Sequence, residues 1–183
     1  IIITAVFSTG KKSNTDFPSL ELEKYEGSAY NISKPVSFDA SGNSDLTIFK
    51  GSSGEDPVEE SFTIERYSAS ASSISPEKLK EAATQKGDGS QYEGLESELI
   101  SINDRVTIKL TVSVASEGLP VGRVYYIFGN VNIWKITFNG GLNSVLTKES
   151  DKIMATFALK RGDADLDNET TNEINTDEAG GGL

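Results

Sequence analysis

The chain has 183 residues, 36% of them hydrophobic and 25% charged, with a formal net charge of −11 and neither Cys nor His. That size and composition fit one globular domain with a real core, and the negative charge argues against nucleic acid or an anionic membrane surface as a partner. The missing Cys and His exclude disulfide staples, thiol redox chemistry, Cys or His nucleophile dyads and zinc sites of the usual kind.

The amino-terminal stretch "IIITAVFSTGKK" reads as a strand. Ile1, Ile3, Ala5 and Phe7 fall on one side of an extended segment, and Ile2, Thr4 and Val6 on the other. A strand apolar on both sides needs cover on both sides. An edge strand facing water would be blunted by charge or proline, and here neither comes before Lys11 and Lys12. The segment therefore either pairs within its own domain or is donated to a neighbouring subunit, with "STGKKSNT" as the hinge. A chain starting at Ile is expected to have lost an upstream segment, most simply a secretory signal peptide, unless it merely begins at an arbitrary residue. The first case predicts an extracellular protein. No apolar run approaches the roughly 18 residues a membrane-spanning helix needs.

Further along, "KPVSFDA", "LTIFKG" and "ESFTIERYS" read as short strands between Ser- and Gly-rich turns. "SPEKLKEAATQKG" is the one convincing helix, with Ser75 as N-cap, Pro76 at the first helical position and Gly87 beyond the end. "DRVTIKLTVSVAS" alternates strictly, Val106, Ile108, Leu110, Val112 and Val114 against Thr107, Lys109, Thr111 and Ser113, which predicts a strand with one buried and one wet face. "GRVYYIFG" follows as a strand. In "NVNIWKITFNGG" the apolar parity flips between Ile133 and Trp134, which predicts a β-bulge there. "FNGGLN" reads as a hairpin-type turn and "KIMATFALKR" as a last strand, with Ile153, Ala155 and Phe157 on one side. The whole predicts an all-β antiparallel sandwich or jelly roll with one short helix. Residues 1–12 form the donor strand and hinge, 13–162 the domain, and 163–183 an acidic loop or tail.

That tail carries seven acidic side chains and no basic one, so it accounts for most of the net charge. Asp163, Asp165, Asp167, Glu169 and Glu173 offer oxygen ligands at alternate positions on a chain able to curl, which suits Ca²⁺. An EF-hand is excluded by Asn168 at the sixth position and Ile174 at the twelfth. The other reading is a solvated tail. Glu55, Asp56, Glu59 and Glu60 form a weaker acidic group. Asn31 and Asn168 head the sequons "NIS" and "NET" and are candidate glycosylation sites on exposed loops.

No nucleophile elbow, S-x-x-K pair or phosphate-cradling glycine loop occurs. Glu96 and Glu98, two apart on a predicted strand, point the same way as a glycosidase pair could, and nothing else supports an enzyme. Tyr125, Tyr126 and Trp134 serve either as sugar platforms or as core.

The stretches "IIITAVFSTG", "AYNISKPVSFDASG", "NVNIWKITFNGG" and "GDADLDNETTNEI" together resemble the subunits of archaeal extracellular cannulae, the hollow tubes that link hyperthermophile cells. The resemblance implies a jelly-roll subunit, donor-strand linkage into a homopolymer and calcium-dependent assembly. A non-enzymatic, secreted filament or tube subunit is thus the first expectation. A calcium-dependent carbohydrate-binding or adhesin module is the second.

Overall fold

The computed structural model describes residues 19–52, 59–67, 74–85, 94–113, 120–141 and 144–160. The expected amino-terminal strand, the acidic tail and Asn168 lie outside them. Among the described residues the fold is all-β and antiparallel, with three short helices.

Three strands, β1 (Leu22–Glu26), β2 (Tyr30–Pro35) and β10 (Ala158–Leu159), make a small sheet in the order β1-β2-β10. The large sheet holds β3 (Asp39–Gly42), β4 (Leu46–Gly51), β5 (Glu60–Tyr67), β6 (Gly94–Ile102), β7 (Arg105–Ser113), β8 (Pro120–Phe128) and β9 (Ile133–Asn139). Its order is β3-β4-β5-β9-β8-β7-β6: two sequential runs joined where β5 meets β9. Helix α1 (Pro76–Gln85) packs against β6 and β7, while α2 (Val145–Lys148) and α3 (Ser150–Met154) pack against β8, β9 and β2.

The core lies between the two sheets and under α2 and α3. Residues paired across strands share a face, so Phe49, Phe62 and Phe138 form a continuous row. The first two rings stack at 4.3 Å and the next pair at 5.0 Å. Ile64, Ile136 and Tyr125 form the next row, and Trp134 with Ile127 the one after. From the small sheet Tyr30 and Ile32 close over these rows, with Tyr30 5.4 Å from Trp134 and 5.5 Å from Phe157. Aromatic pairs of this kind add to simple burial.

The helix at "SPEKLKEAATQ" forms as expected. Ser75 Oγ accepts from Lys78 N at 3.2 Å and its carbonyl from Leu79 N at 3.0 Å, so two orphan donors of the first turn are satisfied.

Four details differ from the sequence reading. "KPVSFDA" is split: Pro35 ends β2, Phe38 N turns back onto the Pro35 carbonyl at 3.0 Å, and the Phe38 ring drops into the core. No bulge occurs at Ile133–Trp134. Val131 lies before the strand, and Ile133 is buried on the face away from the core, where it pairs with Tyr67 and Phe128, while Trp134 enters the core on the other face. The register shift falls at Val112/Ser113 instead. "FNGGLN" leads into helix rather than a hairpin: Ser144 caps α2, its Oγ accepting from Thr147 N at 3.1 Å. "KIMATFALKR" opens in helix and reaches strand only at its end: Lys152–Met154 close α3, the chain turns at Ala155–Thr156, and only Ala158–Leu159 form a strand, β10, so Ile153 and Phe157 are buried while Ala155 is exposed.

Candidate strand-docking edge

Strand donation requires an acceptor, so the four free edges of the two sheets decide what the fold can take up. β3 is four exposed residues long and ends at Gly42, whose φ of 112° stops the extended chain. β1 carries Glu23, Lys24 and Glu26 in ion pairs along its length, the kind of charge that discourages pairing. β10 is two residues long, and Asn103 Nδ2 already donates to the Phe157 carbonyl beside it. β6 is different. It runs nine residues, and no strand lies beyond it among the described residues.

The backbone of β6 has a definite phase. Asn103 and Asp104 both have positive φ, 47° and 63°, the signature of a two-residue type I′ hairpin turn. The flanking pair Ile102–Arg105 is then hydrogen-bonded, as are Ile100–Thr107, Glu98–Lys109 and Glu96–Thr111. The amide and carbonyl groups of Ser97, Leu99 and Ser101 consequently point outward from the sheet, where an added strand would pair. The Leu99 side chain is 44% exposed, an apolar contact for that strand.

Glu96 and Glu98 share a face, as their spacing requires, and both are exposed. Glu98 is bound to Lys109 at 3.1 Å, and Lys109 to Asp151 at 3.0 Å. Asp151 also accepts from Arg123 Nη1 and from the Tyr125 hydroxyl, each at 2.8 Å, and Ser150 Oγ lies 3.0 Å from that hydroxyl. Burial alone would raise the Asp151 pKa. Hydrogen bonds from Lys109 and Tyr125 and the charges of Arg123 and Lys109 outweigh it and hold the carboxyl below its ordinary value. Burial, reinforced by Asp151, pushes the Tyr125 phenol well above its ordinary value. Neither group exchanges a proton near neutral pH. The cluster is a clasp that fastens α3 to β7 and β8, and alternation alone could not reveal it because its members come from four elements.

The other expected sites disperse. Tyr125 and Trp134 are core side chains with no exposure, so they are not sugar platforms; Tyr126, half-buried, lies on the opposite face. Glu59 is exposed and held by Lys50 at 2.7 Å, whereas Glu60 is buried and accepts from Ser144 Oγ. Asn31 stands not on a loop but half-buried in the middle strand of the small sheet, between Glu26 and Ala158. Among the described residues no three carboxylates gather as a metal site, and no helix is long and apolar enough to cross a membrane.

No family model matches the chain, and no curated protein matches its sequence. Solved structures similar to it include PsbP of Synechocystis sp. PCC 6803, 10% identical with a TM-score of 0.50, covering 78% of this chain and 95% of that one. A Pseudomonas aeruginosa protein of unknown function is 20% identical with a TM-score of 0.45, over 76% of this chain and 97% of that one. At 10% identity, the likeness to PsbP concerns the fold alone.

Proposed function

We propose that the protein is a non-enzymatic assembly subunit whose β6 edge accepts an extended strand, the donor being the Ile1–Phe7 segment of another copy. The observation that carries this reading is the nine-residue edge of β6, beyond which no described strand lies, with the backbone groups of Ser97, Leu99 and Ser101 turned outward. Main-chain pairing along such an edge supplies affinity, and the alternate side chains of the donor supply selectivity. A homopolymer in an extracellular filament or tube is the form of assembly that a strand apolar on both sides suits.

Calcium has a place in the same proposal. Copies with a net charge of −11 repel when stacked. Ca²⁺ held by Asp163, Asp165 and Asp167, with Glu169 and Glu173, would cancel two charges per ion and favour the assembled state.

The test compares the intact chain with a form lacking Ile1–Phe7 and with Ser97→Pro, each followed by light scattering and size-exclusion chromatography across a calcium titration with sodium-matched controls. The intact chain should assemble and both variants remain monomeric. Assembly of both variants to the same extent as the intact chain would sink the proposal.

A further inference from the structure

Between the β6–β7 hairpin and β10 lies a cavity of about 180 Å³ that opens to the surface. Ile102, Ile127, Phe157 and Leu159 form its apolar walls, and Asn103 and Arg105 are its polar residues. Three of the walls, Ile102, Ile127 and Phe157, belong to the main core, so the space is held by rigid packing rather than by a loop. Arg105 is fixed in place, Nη1 donating to Asn130 Oδ1 at 2.7 Å, and it is the cavity's one charged lining residue among the described residues. The indole Nε1 of Trp134 is fully buried, with no hydrogen-bond partner among the described residues. The Trp134 ring lies 6.2 Å from that of Phe157 and Trp134 is paired with Ile127, so it packs behind two of the cavity's walls.

We propose that this cavity binds a short-chain monocarboxylate, the apolar tail against Ile102, Ile127, Phe157 and Leu159 and the carboxylate against Arg105. The size sets the class. Drug-sized ligands occupy roughly 300–1,000 Å³, whereas an apolar space of about 150 Å³ suffices for a benzene-sized molecule. The sign of the charge follows from Arg105, whose planar guanidinium matches a carboxylate. Asn103 offers an amide at the same site, though its Nδ2 is engaged with the Phe157 carbonyl. The inference is independent of strand addition at β6.

The chain has a single Trp, so the indole N–H gives one resonance that reports on this site. Hexanoate, hexanol and hexylamine would be titrated against the full chain at millimolar concentration and constant ionic strength. Hexanoate should move the Trp134 indole resonance saturably, about tenfold more tightly than hexanol, the worth of one charge-assisted hydrogen bond at a partly open site. Hexylamine should bind least. Arg105→Gln should bring hexanoate down to the level of hexanol, while Arg105→Lys keeps a preference for the acid. Ile102→Phe, which fills the space, should abolish binding of both. Thermal melting of each variant without ligand shows that it is folded, and a second marker, the methyl resonances of Ile127, reports binding if the indole does not respond. Absence of a saturable shift at either marker, or an acid-to-alcohol ratio unchanged in Arg105→Gln, would overturn the proposal.

Discussion

Tyr125 donates its hydroxyl to the Asp151 carboxylate across 2.8 Å, and so ties the first turn of α3 to the middle of β8. Without that bond α3 is held by Ile153 and Met154 and by the ion pairs of Asp151 with Lys109 and Arg123. Tyr125→Phe keeps the buried ring and removes only the hydroxyl with its bonds to Asp151 and Ser150, so it should cost roughly 1–2 kcal/mol, read as a lower urea midpoint with an unchanged slope. Asp151→Ala should cost more, since it strips the largely buried Arg123 of its carboxylate partner and leaves Lys109 with Glu98 alone.

Stability should fall at both ends of the pH range for opposite reasons. Asp151 has a lowered folded-state pKa, so its contribution is present above its ordinary value of 3.8 and is lost as pH falls through the folded value. Tyr30, raised by burial, and Tyr67, raised first by its hydrogen bond to Glu65, both titrate at about 12, and Tyr125 is raised further by burial. Their contribution is fully present below the ordinary phenol value of 10 and is lost as pH climbs through the folded values. Urea unfolding on either side of pH 10 should show the alkaline loss, and Tyr30→Phe should reduce it. A flat alkaline limb in the intact chain would contradict the burial of Tyr30 and Tyr125.

The aromatic row offers a plainer test. Phe62 stacks on Phe49 at one side and Phe138 at the other, with no exposure. Phe62→Ala opens a space that two β-sheet neighbours cannot collapse into, so it should cost about 3–5 kcal/mol. Phe62→Leu should recover about half of that.

Most strands were legible because the period-two signal is local, but the face each strand buries was not. In β7 the alternation reads correctly, yet Ile108 and Leu110 point away from the main core, to the side where α1 can cover them, while Thr107 is fully buried on the core side. The switch is visible only in the register: Thr107 sits opposite Ile127, and Lys109 opposite Tyr125. α3 was misread because Ile153, Ala155 and Phe157 satisfy period two by accident. The helical stripe through Ser150 and Met154 becomes evident only when Ser150 is seen to be buried by its bond to the Thr147 carbonyl. The clasp and the cavity were hidden for a related reason: both are built from residues distant in sequence, and neither contains a motif. The β6 edge was half legible, since "GLESELIS" shows the strand and its carboxylate face but not that no strand among the described residues pairs beyond it.

Proline placed at two positions of β6 separates its two edges. The hydrogen-bonded pairs counted back from the Asn103–Asp104 turn put the Ile100 amide toward β7 and the Ser97 amide away from it. Ile100→Pro removes a ladder bond, orphans the Thr107 carbonyl that accepts it and forces the ring against β7, so it should cost about 3 kcal/mol. Ser97→Pro removes a donor that faces outward and should cost under about 1 kcal/mol, since proline is tolerated where the amide faces away from the ladder. The two variants also differ in what they do to association. Ser97→Pro should abolish strand addition in a well-folded chain, whereas loss of assembly in Ile100→Pro follows from unfolding. Equal destabilisation by the two substitutions, measured by urea denaturation of the monomer, would mean that the outward phase of Ser97 is wrong and that β6 presents no edge to a partner.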